Sequence, residues 1–193
     1  MELRRLLQRL WERARDAQSE SPPRHDAAHH WIVECVAADP ATPLYVDTML
    51  RNLERRHEGR RPRHGLSSWL ARRAVRAAWR DRRWLEILQS APPLLATNPG
   101  DLGLLLPLAD ACQATGCRDS AWLYLQVALR VAPEACEVQR RAGRLLARLA
   151  RFPAARRHWL RVLAIQPDDA EARRFLAALP ESLEWAETNS PMA

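Results

Sequence analysis

Arg72, Arg76 and Arg80 recur at intervals of four residues, which places three guanidinium groups on one face of a helix that carries them. Arg140, Arg144 and Arg148 repeat the spacing further along. A row of planar, permanently charged forks suits carboxylates or phosphates, each gripped by two parallel hydrogen bonds. The stretch WLARRAVRAAWRDRRW also interleaves arginine with Trp69, Trp79 and Trp84, a composition that suits stacked nucleobases. The plainer alternative is a solvated surface, because the chain has 30 cationic residues and all of them are arginine.

The absence of lysine removes whole classes of chemistry. A phosphate-loop lysine, a Schiff base and a lysine general base are all excluded. Six glycines are too few and too scattered for a Gly-rich nucleotide loop. There is no nucleophile elbow and no H-E-x-x-H element, so no catalytic residue is assigned and no enzyme activity is expected. His25, His29 and His30 include an i, i+4 pair able to hold a metal on a helix, but no third ligand is fixed by spacing. They read as a solvent-facing cluster at a helix end, and no metal or cofactor is expected. Cys35, Cys112, Cys117 and Cys136 lack a C-x-x-C pair and read as reduced packing thiols, although Cys112 and Cys117 straddle a turn. No apolar run is long enough for a transmembrane helix, so no membrane insertion is expected and the default compartment is the cytoplasm.

Charge is unevenly spread along the chain. The formal net charge is +7, yet Arg51 to Arg83 holds 12 arginines against three acids, a balance of +9. From Gln166 onward two arginines face six acids, a balance of −4. A basic segment of this kind implies an acidic protein or peptide partner, or alternatively RNA or single-stranded nucleic acid bound through its phosphates.

The elements that must position these arginines announce themselves by a repeat. Pro99, Pro133 and Pro167 each close an apolar helical stretch, and they lie 34 residues apart. Setting that proline at position 32 starts the units near Ser68, Leu102 and Cys136. Position 8 then holds Val75, Ala109 and Gly143, position 20 holds Ile87, Ala121 and Ala155, and position 24 holds Ala91, Leu125 and Trp159. Small residues in step permit two antiparallel helices to approach closely, and proline blocks continuation of the second. Trp84, Trp122 and Trp159 fall at or beside these packing positions.

On these residues the chain resembles the tetratricopeptide repeat family. The third unit carries the likeness best, through Gly143, Phe152, Ala155 and Pro167. The second carries it through Ala109, Gly116, Ala121, Leu125, Ala128 and Pro133. In the first, Ile87 replaces the small residue and Pro92-Pro93 fall inside the second helix, which predicts a kinked or shortened helix. The resemblance implies an all-α, right-handed solenoid of antiparallel helical hairpins, about ten helices with an irregular first half. It also implies a concave groove lined by positions 2, 5, 9, 12 and 13. In the first unit these are Trp69, Arg72, Arg76, Trp79 and Arg80; in the third, Arg140, Arg144 and Arg148 stand among them. The middle unit offers Gly103, Leu106, Asp110, Gln113 and Ala114. The implied function is a non-catalytic scaffold that holds an acidic segment in this groove. Members that clamp a C-terminal carboxylate use lysine and asparagine there, a set this chain lacks.

Upstream the register loosens. Residues 1–57 read as degenerate repeat-like helices: Glu2 to Gln18 with Leu3, Leu6, Leu7, Leu10, Trp11 and Ala14 on one face, then Asp26 to Ala38, then Pro43 to His57. A basic loop spans 58–65, the array spans 66–179 with a capping helix over 168–179, and the tail 180–193 is expected to be partly disordered.

Overall fold

The computed structural model describes residues 2–58 and 66–178, so the loop 59–65 and the tail from 179 lie outside the described residues. Among the described residues there are ten helices and no strand, an all-α architecture. Consecutive helices pack on one another, consistent with a helical solenoid. The chain divides at Val127/Ala128 into two compact units.

In the first unit, α1 (Glu2–Ser19) packs on α2 (His25–Ala38). Leu7, Ala14 and Ala17 are buried, whereas Leu3 and Leu6 are exposed, which corrects the six-residue apolar face expected for this helix. The reason is length. α1 has 18 residues and α2 has 14, about 27 Å against about 21 Å. The Cys35 thiol, near the end of α2, already reaches the Leu7 carbonyl, so the first turn of α1 outruns its partner.

Helix α2 ends at Ala38 with Asp39 as its C-cap, and Pro43 occupies the first turn of α3 (Pro43–His57), where a missing N–H costs nothing. Both termini of α3 fall where the sequence places them. α2 then packs on α3 and also on α5 (Trp84–Leu94). Pro92 and Pro93 sit in the last turn of α5, which is 11 residues long where α7 (Arg118–Val131) and α9 (Phe152–Ile165) have 14. The shortening expected from the two prolines is therefore present, and α4 (Leu66–Arg80) still pairs with α5. In the turn after α5 the Ala96 carbonyl accepts hydrogen bonds from Arg56 Nη1 and His57 Nε2, both at 3.0 Å. The basic end of α3 thus supplies donors where the proline-shortened helix stops.

The 34-residue period is written in the backbone as well as in the side chains. Arg82, Gly116 and Ala150 share one position of the three units, and all three have positive φ, at 57°, 84° and 56°. The next residue in each case, Arg83, Cys117 or Arg151, donates its N–H to the carbonyl five residues earlier, at 2.7–2.9 Å. Each first helix of a pair is thus ended by the same left-handed turn, and only the middle unit uses the glycine that this conformation favours. Ala150→Gly is expected to stabilise the second unit by about 1 kcal/mol, read as a raised urea midpoint.

In the second unit α8 (Cys136–Arg148) packs against α9, and α10 (Ala170–Ala177) packs on α9. A Cβ placed on Gly143 would stand 2.8 Å from Cε2 and Nε1 of Trp159, a ring that is itself buried. Position 8 is therefore small because position 24 is a tryptophan, and that ring also meets Phe175 at a centroid distance of 5.4 Å.

Candidate functional site

The arginines expected to form one groove divide into two kinds. Arg72 is largely buried, with 18% of its side chain exposed, and its Nε lies 2.9 Å from Asp101 Oδ2. Asp101 is the residue before α6 (Leu102–Ala114), and its other carboxylate oxygen accepts the Gly103 N–H at 2.9 Å. One carboxylate therefore caps α6 and ties α4 to it. Trp79 is held in the same way, its indole N–H donating to Asp110 of α6 at 3.0 Å.

Arg140 in the second unit repeats the device. Its Nη2 lies 2.6 Å from Asp169 Oδ2, and Asp169 accepts the Ala172 N–H at 2.7 Å to cap α10. The Ala172 N–H and the Arg140 guanidinium hold the Asp169 carboxyl below the usual carboxylate range, and the same carboxylate raises Arg140. Arg72 and Asp101 are 29 residues apart, as are Arg140 and Asp169. At the equivalent positions the middle unit has Leu106 and Ala135, and Ala135 makes no side-chain cap to α8. Where the arginine is missing, the aspartate is missing too. This co-occurrence was the available sequence signal, at a separation that no helical periodicity would flag.

Arg144 is also engaged, its Nε and Nη2 meeting the two oxygens of Glu171 at 2.6 and 2.5 Å. That fork holds the Glu171 carboxyl below its ordinary value. Arg148 is exposed beside a cleft lined by Ala147, Trp159, Arg174 and Phe175. Arg72, Trp79, Arg140 and Arg144 thus act on neighbouring helices of their own unit.

What α4 leaves open is a different stripe. Trp69 is 56% exposed, with the Arg73 guanidinium over its ring at 5.8 Å, and Arg73, Arg76 and Arg80 are all exposed. Residues 69, 73, 76 and 80 lie on one helical face. Arg80 meets Asp81 at 3.1 Å with 81% of its side chain exposed. The Arg76 guanidinium lies over Gly103, 3.6 Å from where a Cβ would stand, so the first turn of α6 leaves room for it. Arg73 was missed because the expected groove positions skip it.

The histidines do not form the solvent-facing cluster expected. His29 is buried where α2 meets α5, and neither ring nitrogen has a hydrogen-bond partner among the described residues. Burial and the Arg56 charge push its pKa down to about 4. His25 Nδ1 instead lies 2.9 Å from Asn52 Oδ1, and the Asn52 amide donates to the His25 carbonyl. Among the described residues no three His, Cys, Asp or Glu side chains gather as a metal site would need. The four cysteines are free, and burial pushes the Cys35 thiol up to about 11 and the Cys112 thiol up to about 12, away from the reactive thiolate. Among the described residues no helix is long and apolar enough to cross a membrane. No protein-family model matches this chain, and no curated protein matches it in sequence.

Proposed function

We propose that this chain is a non-catalytic adaptor of tetratricopeptide-like helical hairpins that holds an acidic segment of a partner protein along the exposed face of α4. The observation that carries this reading is the division of the arginines. Arg72, Arg140 and Arg144 meet carboxylates on neighbouring helices, whereas Trp69, Arg73, Arg76 and Arg80 present an apolar ring and three cations on one accessible face, Arg80 meeting Asp81, its neighbour in sequence. Arginine forks at such a face supply orientation and carboxylate contacts, and an exposed tryptophan supplies apolar area. Free thiols suit a reducing, cytoplasmic setting, and the two buried ones, Cys35 and Cys112, are held away from the reactive thiolate.

Arg76→Glu combined with Arg80→Glu is expected to weaken capture of the acidic partner at least tenfold while the helical circular dichroism stays unchanged. Retained binding in a folded double variant overturns the assignment. A nucleic-acid reading keeps one specific observation, the Trp69–Arg73 stack, which resembles half of a base-stacking site. It predicts retention of single-stranded RNA that falls steeply with salt, and no selectivity among acidic peptides.

A further inference from the structure

Residues 69, 73, 76 and 80 are separated by four, three and four positions, the 4-3-4 spacing of a helix–helix seam. Residues so spaced stay in line along a second helix that crosses at a shallow angle. A strand repeats every two residues and drifts out of step with such a row. The seam is chemically divided. Its first turn is apolar and open, with Trp69 and Leu70 56% and 62% exposed, and its next three positions are cationic. A second copy of this chain would set arginine against arginine, so self-association through this face is disfavoured. What complements the face is a helix of opposite charge.

We infer that the occupant of the α4 face is an amphipathic acidic helix of a partner protein. It carries one large apolar residue facing Trp69 and carboxylates at four, seven and eleven positions from it. This inference rests on the reading of α4 as the partner face and adds to it the conformation and spacing of what binds. Helical rise places Arg73, Arg76 and Arg80 about 4.5 and 6 Å apart along the axis, and acids at the matching positions of a partner helix advance by the same steps. Each arginine then meets its own carboxylate, with Arg73 held in place by its stack on Trp69.

Two fluorescent synthetic peptides of identical composition test this with the full chain. One carries leucine, then glutamates at +4, +7 and +11, on an alanine and glutamine background. The other holds the same residues with the glutamates at every second position. The seam-spaced peptide is expected to bind at least tenfold more tightly in an anisotropy titration and to gain helical circular dichroism on binding. Its affinity should fall at least tenfold against Arg76→Glu/Arg80→Glu. Equal affinity for the two peptides, both weakened by that variant, overturns the helical partner while leaving the α4 face intact. If neither peptide binds, or if binding is unaffected by the variant, the α4 reading is overturned and this inference with it. Tighter binding of a single-stranded RNA oligonucleotide than of either peptide does the same.

Discussion

Asp101→Ala is expected to lower the stability of the first unit by about 2–4 kcal/mol, a large effect for one residue outside the apolar core. Two losses combine. The cap on α6 disappears, worth about 1 kcal/mol, and the Arg72 guanidinium loses its carboxylate at a position where only a small part of it reaches water. Arg72→Leu should cost less, because the Asp101 carboxylate left behind still accepts the Gly103 N–H at the start of α6, where negative charge is favoured. The double variant reproduces the pair that the middle unit already uses, Leu106 and Ala135. It should therefore be more stable than the two single effects added together, by about 1–2 kcal/mol in a double-mutant cycle. Strict additivity would show that the ion pair contributes nothing to the fold.

The second large effect is a loss of stability in acid. His29 lies at the junction of α2, α3 and α5, with His25, Asp26 and His30 on its own helix and Arg56 and His57 arriving from α3. Its folded pKa is lowered from 6.5 to about 4, by burial first and Arg56 second, while the Pro93 backbone carbonyl and then Asp26 pull the other way. The neutral ring therefore favours the native state above pH 6.5. As the pH falls, the unfolded chain takes up a proton that the folded chain resists, and the advantage is gone once the pH passes through the folded pKa. The whole window is worth about 3 kcal/mol. Urea midpoints measured from pH 7 to pH 4 should fall in the wild type and fall markedly less in His29→Leu. Parallel profiles would mean that His29 titrates normally and is not buried as described.

The fold was legible to the extent that it depends on local pattern. The prolines at 99, 133 and 167 set the period, and α3 begins and ends at Pro43 and His57 because proline and a Glu-Gly break are local signals. The shortened α5 followed from Pro92 and Pro93 in the same way. Leu3 and Leu6 were misread because apolar periodicity shows which face a helix turns inward, but not how far its partner extends. His29 was misread for a related reason. The surface that buries it comes from α5, some 60 residues away, which a pattern within α2 cannot show.

The candidate site shows the same limit more sharply. Spacing placed Arg72, Arg76 and Arg80 on one face, and all three do lie on α4. Yet a rotation of less than one residue separates a cation facing the next helix from one facing solvent. Arg72 falls on the inner side against Asp101, Arg76 is exposed but reaches over Gly103 of α6, and Arg73 and Arg80 lie on the outer row. What decides this is the aspartate before α6, a residue distant in sequence that the pattern within α4 cannot reveal. Composition made every arginine look alike, and the helices packed around them make the distinction.

That distinction is tested most directly by measuring urea stability and acidic-peptide affinity side by side for Arg72→Glu and for Arg76→Glu/Arg80→Glu. Arg72→Glu places a carboxylate against Asp101 and should unfold at markedly lower urea, whereas the double variant should unfold like the wild type and lose the peptide. The opposite pattern, with Arg72→Glu fully stable and Arg76→Glu/Arg80→Glu unfolded or still binding, would contradict the division of the arginines into those that hold the fold and those that face a partner.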